Sequence, residues 1–503
     1  MLTVTNLDAN GEGSLQWALD QPGPRIIVFA VSGVIEGDVI EIPHGDVTIA
    51  GQTAPGAGIT LNARLVAEYD YDVTNIIVRH LRIRPPELSG AGEQFDGMQF
   101  SRNSNMIFDH ISVAYGVDET FDMYEGQGIT VQWSTISMGA TEGHPEGEHN
   151  YGMIVGPDGT RASVHHNLFV HQKNRNPALA TGPVEAVNNV AYNVRHGYVH
   201  HNPASGQHSI IGNYYKRGAS DDLFPFFFDD DEGEALAYYL ADNYIEDPGV
   251  FEGAIDNPWI EPWAHPSFEY LSKPESLRAE QPFDFGEAEP DYIPVTTSTS
   301  LEAYDAVLEC AGGWPRDIVD QTMVEQTEAG TGTWGVWRPD DLLEGLSPEA
   351  APPDSDGDGM PDAWERANEL DPADGADHST VMDSGYTAIE TYINELADSL
   401  NNCVVPDPPG GGDDDGTDDG GGDDAADSGT GGGGGGDAMS ADGGGADGTG
   451  GAGTGGTNST ATGSGQGADD DDSGGCGCTS GGAPSGGLFV LGLMFLGLRR
   501  RDP

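Results

Sequence analysis

Between residues 78 and 245 the chain repeats one arrangement of side chains: an apolar residue, two mostly polar ones, then alternation. The plainest copies are Phe108-Asp109-His110-Ile111-Ser112-Val113, Val131-Gln132-Trp133-Ser134-Thr135-Ile136 and Val164-His165-His166-Asn167-Leu168-Phe169. Related segments begin near Val78, Ala186, Ile210 and Leu240, at spacings of 22 to 33 residues. Short alternating runs without a helical period predict strands. Their recurrence at this length predicts a β-solenoid, in which each coil covers the apolar edge of the one before. A sandwich also contains many short strands, but its hairpins need two-residue turn signals that are scarce here. Asn167, Asn189, Asn213 and Asn243 recur at one place in the pattern, which predicts a structural ladder of stacked amides that satisfies turn backbone groups. His110, His165 and His166 lie in the same segments and read as packing or turn residues.

The 503 residues exceed what one core usually organises, so more than one unit is expected. Four segments are predicted: a β-helical domain over 1–345, a small module over 352–402, a Gly/Asp-rich linker over 405–475 with too few apolar side chains to order itself, and a terminal signal over 476–503. Acids outnumber bases 84 to 20, a formal charge of −64, which argues against nucleic acid as a partner. The same field repels a polyanionic sugar unless divalent cations or a local cluster of bases reverse its sign. The four cysteines, Cys310, Cys403, Cys476 and Cys478, are too few for a disulfide scaffold and lack zinc-ligand spacing. Cys310 and Cys403 are compatible with one bridge in an oxidising compartment or with two free thiols. Met1 runs directly into Leu2-Thr3-Val4-Thr5, and no N-terminal signal peptide is visible.

Stacking coils brings together acids that are distant in sequence. Asp96 lies one coil before Asp118 and Asp122, and such hard oxygen ligands suit calcium. These residues also carry a resemblance. VTNLDANGEGSLQWAL, PRIIVFAVSG, VTIAGQTAPGAGI, FDHISVAYGVDETFDM, HHNLFVHQKNRNP, VNNVAYN and AGGWPRDIVD, in that order over residues 2 to 335, resemble polysaccharide lyase family one, the pectate lyases. The resemblance implies a right-handed parallel β-helix that cleaves acidic plant cell-wall polysaccharide by calcium-dependent β-elimination. Carried over by position, Asp96, Asp118 and Asp122 match the family's calcium ligands, and Arg175, in Arg175-Asn176-Pro177, matches its catalytic base. Read without the family, Arg175 is a clamp on a carboxylate, because guanidinium ordinarily keeps its proton.

The chain departs from the family pattern where Ala178 and Ala180 stand in place of further arginines, and where Asn150 and Tyr151 stand near an expected lysine. Lys173, Arg195 and His149 are the nearest candidates to bind substrate instead.

In DSDGDGMPDAWE, Asp354, Asp356, Asp358, Asp362 and Glu365 occupy positions 1, 3, 5, 9 and 12 of a calcium loop. Gly359 falls at the sharp turn, and Met360 offers its carbonyl. This segment resembles an EF-hand or dockerin-like loop, with flanking helices expected over 363–370 and 386–400. Its expected role is to fold the small module around a metal. Cys476-Gly477-Cys478, the short apolar run from Leu488 to Leu498 and Arg499-Arg500-Arg501 together resemble the myxobacterial C-terminal sorting signal. That resemblance implies transient membrane contact and display at the cell surface or release. A monomer is expected.

Two other functions fit the same residues: a β-helical glycoside hydrolase of the polygalacturonase type using paired carboxylates, and a noncatalytic polysaccharide-binding surface protein.

Overall fold

A computed structural model describes residues 1–400 and 403, except 68, 70–72, 87–94, 229–234, 261–274, 284, 286–294 and 336, and the side chains of 202–203. The predicted Gly/Asp linker and terminal signal lie outside the described residues.

Each coil contributes one strand to each of three parallel sheets. One coil runs Ser104–Asp109, Ser112–Ala114, Glu119–Asp122, and the next Gln127–Gln132, Thr135–Ser137, Tyr151–Val155. The first sheet holds ten strands. The second and third sheets are joined through Ile59–Val66, which pairs with both Leu81–Ile83 and Met98–Gln99. Every described pairing is parallel except Asn243–Asp247 with Phe251–Ile255 and the isolated bridges Gly56–Pro348 and Val381–Thr387. The fold is a right-handed parallel β-helix, the hand that coiled parallel connections adopt.

The repeated sequence pattern is the corner between the first and second sheets. Val78, Phe108, Val131, Val164, Ala186, Ile210 and Leu240 are in register and point into the core. Asp109, Gln132 and His165 follow at the sheet's end. Next comes one residue with left-handed backbone: His80, His110, Trp133, His166, Asn188, Gly212 and Asp242 in successive coils. Several of these rings stack, with centroids 4.9 Å apart for His80 and His110 and 4.3 Å for Trp133 and His166. The residue after turns inward. Asn167, Asn189, Asn213 and Asn243 form the expected ladder, each Nδ2 of the first three donating 3.0 Å to the Oδ1 of the next. This corner is short, two residues in each coil from Asp109 to Tyr214 and one, Asp242, in the last, whereas over the same coils the second-to-third-sheet connection ranges from 193–195 to 138–150.

Helix α1 (Leu15–Leu19) closes the N-terminal end, capped by Ser14. Helices α2 (Ser300–Cys310) and α3 (Ile318–Ala329) cover the second sheet. Val307, Val319 and Met323 pack on Leu168, Val190 and Tyr192. The Arg84 guanidinium, fully buried, pairs with Asp317 at 3.0 Å and Asp320 at 3.1 Å, which pins α3 to the β-helix. Cys310 and Cys403 are joined in a disulfide, which resolves the two readings left open by the sequence.

Residues 352–400 pack against the first coils. Helices α4 (Asp362–Ala367) and α5 (Ala388–Leu400) flank the acidic loop. Met360, Ala388, Ile389 and Ile393 share a buried cluster with Val28 and Ala50 of the β-helix. Gln52 donates to Ile393 O at 3.1 Å, and Arg79 donates to Asn394 at 2.8 Å. No helix among the described residues is long and apolar enough to cross a membrane.

Candidate active site

The candidate residues lie at the entrances of third-sheet strands. Asp96 precedes Met98–Gln99, Asp118 precedes Glu119–Asp122, and Arg175 precedes Ala178–Thr181. Register stacks them, because Phe121 pairs with both Met98 and Met153, and Met153 N donates to Arg175 O at 2.7 Å. Gly152 permits this approach. A Cβ there would collide with the Arg175 carbonyl.

Carboxylate oxygens of Asp96, Asp118 and Glu119 lie within 4.8 Å of one another. Asp96 is 1% exposed; its Oδ1 accepts from Glu119 N at 3.0 Å, and its Oδ2 has no hydrogen-bond partner. Burial, with Asp122 and Asp118 adding to it, pushes the Asp96 carboxyl well above the usual carboxylate range. Asp122 is pushed up to about 6 by burial, against hydrogen bonds from Tyr124 N and Ser101. Its oxygens are engaged by those groups at 2.6 and 2.9 Å, so it borders the Asp96–Asp118–Glu119 group with its carboxylate turned to protein donors. Crowded carboxylates with an unsatisfied buried oxygen are the electrostatic signature a bound divalent cation relieves.

Arg175 adopts a left-handed backbone, φ 66°, and its guanidinium meets the Glu119 carboxylate while lying 4.3 Å over the Tyr151 ring. Tyr151, with Asn150, stands near the place where the resemblance implies a lysine. His149 Nε2 is 3.7 Å from Asp118 Oδ1, and the His144 ring packs 3.5 Å from the His149 ring. Burial lowers the His149 pKa against the pull of Asp118. Lys173 is half-exposed, 4.0 Å from Glu148. Arg195, whose backbone N donates to Lys173 O at 3.2 Å, pairs with Asp221 at 2.8 Å. Ala178 and Ala180 are fully buried and offer no polar contact to a ligand.

Glu119, His144 and Arg64 escaped the sequence reading. Arg64 Nε donates to Asp96 O at 2.7 Å and brings a positive charge beside the acids. Glu119 was legible in principle, since it sits next to Asp118 at the strand entrance.

In the C-terminal loop, Asp354 accepts from the backbone N of Gly357 at 2.8 Å and of Gly359 at 3.0 Å. Oxygens of Asp354, Asp356 and Asp358 cluster within 4.8 Å, and so do those of Asp358, Glu365 and Asp377. Met360 is fully buried and its N donates to Asp358 at 3.0 Å. Asp362 is turned to Ser355, at 2.9 Å from its hydroxyl, and to Arg366 at 3.0 Å. Burial and the carboxylates of Asp356, Asp358, Asp377 and Asp354 push Glu365 up to about 7.

No family model matches the chain. A probable pectate lyase C of Aspergillus flavus is 34% identical over 406 residues, covering 79% of this chain and 89% of that protein. The corresponding protein of Aspergillus terreus is 32% identical over 407 residues, with the same shares covered, and that of Emericella nidulans is 34% identical over 405, covering 78% and 87%. Among solved structures, a pectate lyase from Bacillus sp. N165 in complex with trigalacturonate matches 62% of this chain and 93% of its own, at 14% identity and a TM-score of 0.42. On its sequence relatives, the chain belongs to the pectate lyase family.

Proposed function

We propose that this protein cleaves pectate, α-1,4-polygalacturonate, by calcium-dependent β-elimination, leaving 4,5-unsaturated oligogalacturonates. Family membership supports the reaction class. The observation that carries the reading is the convergence of Asp96, Asp118 and Glu119 beside Arg175, with one buried Asp96 oxygen lacking a donor.

The residues fit a hard cation, because their donors are carboxylate oxygens in crowded, charge-strained positions. Asp96, Asp118 and Glu119 would hold it, with Asp122 adding charge from the border. Bound there, calcium would neutralise the uronate carboxylate and stabilise the charge that gathers on it as the C5 proton leaves. Arg175, as the neutral guanidine, takes the C5 proton while the C4–O4 bond breaks to leave the C4=C5 double bond, and the departing O4 takes a proton from water. Glu119 is shared between Arg175 and the ligand set, so recruiting its carboxylate to the acids frees the Arg175 side chain toward the sugar and removes an anion that favours its protonated form. Lys173, Arg195 and His149 line the approach as substrate contacts, where the family's arginines are replaced by alanines.

The domain division at 1–345, 352–402, 405–475 and 476–503 is part of this reading. The module over 352–402 is taken as a calcium-binding unit of EF-hand or dockerin-like type, and the last segment as a sorting tail. An oxidising, extracellular or cell-surface location accords with the Cys310–Cys403 disulfide. The protein is taken to act as a monomer.

Incubation with polygalacturonate, with and without chelator, tests the proposal. Ultraviolet-absorbing unsaturated ends that require calcium are expected. Saturated ends formed in chelator would point to hydrolysis by paired carboxylates, and binding without chain shortening would point to a surface adhesin, the reading that the replaced arginines favour.

A further inference from the structure

Asp377 lies outside the twelve-residue loop yet faces into it. It begins a short turn, Asp377–Ser379, that leads toward α5. One of its oxygens accepts from Asp371 N at 2.9 Å, while Oδ1 is buried with no partner. Oδ1 is not alone. Both oxygens of Glu365, which is 0% exposed, and both of Asp356 also lack partners, as does Asp358 Oδ2. A buried carboxylate with neither oxygen satisfied is costly unless a cation completes it. The module's described ion pair, Arg366 with Asp362, lies on the other acid of the loop.

The loop is also fastened to the β-helix. Met360 drives its side chain into the cluster with Val28 and Ala50. A Cβ on Gly359, at φ 89°, would approach Val28 within 3.1 Å and Met1 within 3.2 Å. On the far side of the cluster, Thr380 N donates to Asp377 O at 2.8 Å and Ala388 N donates to Thr380 O at 2.8 Å, carrying Asp377 to the start of α5. That helix is the element that meets Gln52 and Arg79.

We propose that Asp377 is a direct ligand of a hard divalent cation held with Asp354, Asp356, Asp358 and Glu365, and that this cation clamps the module onto the first coils of the β-helix. The inference rests on reading the loop as a calcium site. Without the cation, repulsion among five carboxylates separates the loop from the Asp377 turn. The two contact points, Met360 and α5, then lose their fixed spacing. With it, both are held against Val28 and Ala50.

The test uses the full chain carrying Asp118→Asn, which weakens the cleft site, and titrates calcium by calorimetry while hydrogen exchange is followed in Arg25–Phe29. Asp377→Asn is expected to lower the affinity of the remaining site at least tenfold, and Glu365→Gln to abolish binding. Asp383→Asn, outside the cluster, should leave it unchanged. Calcium should slow exchange in Arg25–Phe29 at least tenfold, and not in Glu365→Gln. If Glu365→Gln abolishes binding while Asp377→Asn binds as its parent does, Asp377 is no ligand. Binding that leaves exchange in Arg25–Phe29 unaltered removes the clamp. Should Glu365→Gln itself bind normally, the calcium reading of the loop fails.

Discussion

Arg175 and Glu119, neighbours across two coils of the third sheet, are ion-paired. In the proposed role of base, the arginine meets opposite demands: a carboxylate partner strengthens its hold on the proton, while a base must be able to accept one. Arg175→Lys keeps a charge but loses the planar fork. It is expected to lower kcat by about 10²–10⁴-fold with the calcium requirement retained. Steady-state kinetics at several calcium concentrations separates the two effects. A variant within threefold of the parent would remove Arg175 from the chemistry.

Glu119→Gln should act on both sides of the pair. Losing one anionic oxygen from the ligand group is expected to raise the calcium concentration for half-maximal activity by roughly tenfold, the order of effect that supporting residues of metal sites produce. An unchanged calcium dependence would show that Glu119 serves Arg175 alone.

The asparagine ladder can be broken at one rung. Asn189 accepts from Asn167 N at 3.0 Å and donates to Val164 O at 2.8 Å, all buried. Asn189→Leu strands both groups, so it should destabilise the protein by about 2–5 kcal/mol in urea unfolding. The corresponding change at the exposed Asn10 should leave stability nearly unchanged.

Arg84→Met takes the ion-paired guanidinium away from Asp317 and Asp320 in a fully buried site, with Arg82 left as the buried cation beside them. A loss of about 3–5 kcal/mol is expected. Limited proteolysis should locate the first cuts near α3.

Acid should weaken the fold from about pH 6.5 downward, where the histidines of the unfolded chain begin to take up protons. His208 is fully buried, receives the Tyr198 hydroxyl at 2.7 Å and faces Ser205 O at 3.0 Å. Burial lowers its pKa from 6.5 to about 4. Through that window the unfolded state binds a proton the folded state refuses. Stability is therefore complete above about pH 6.5 and lost as pH falls toward 4, by on the order of 3 kcal/mol for this residue. His165, lowered to about 4, and His166 and His196, each lowered to about 3, pull in the same direction. His208→Gln should flatten the fall in melting temperature over this range in saturating calcium. An unaltered slope would assign the acid sensitivity elsewhere.

The β-helix was legible because a coil repeats its physics: Phe108, Val131 and Val164 had to face one core, and Asn167, Asn189 and Asn213 had to satisfy the same turn. The meeting of Asp96 with Asp118 was legible for the same reason, since one coil separates them. Side-chain direction was not. Nothing in the spacing says that Asp122 turns to Ser101 and Tyr124, or that Asp362 turns to Ser355 and Arg366. Contacts between remote segments were equally hidden. Arg84 finds Asp317 across 233 positions, and Met360 finds Val28 from the other end of the chain. No local period encodes such encounters.

The two-residue corner between the first and second sheets, closed by a left-handed residue and an inward ladder, leaves no room for added chain. Length varies instead at the second-to-third-sheet corner, where 138–150 already bulges beside Asp118. The scaffold therefore directs added chain toward the rim of the proposed site and away from the stacked interior.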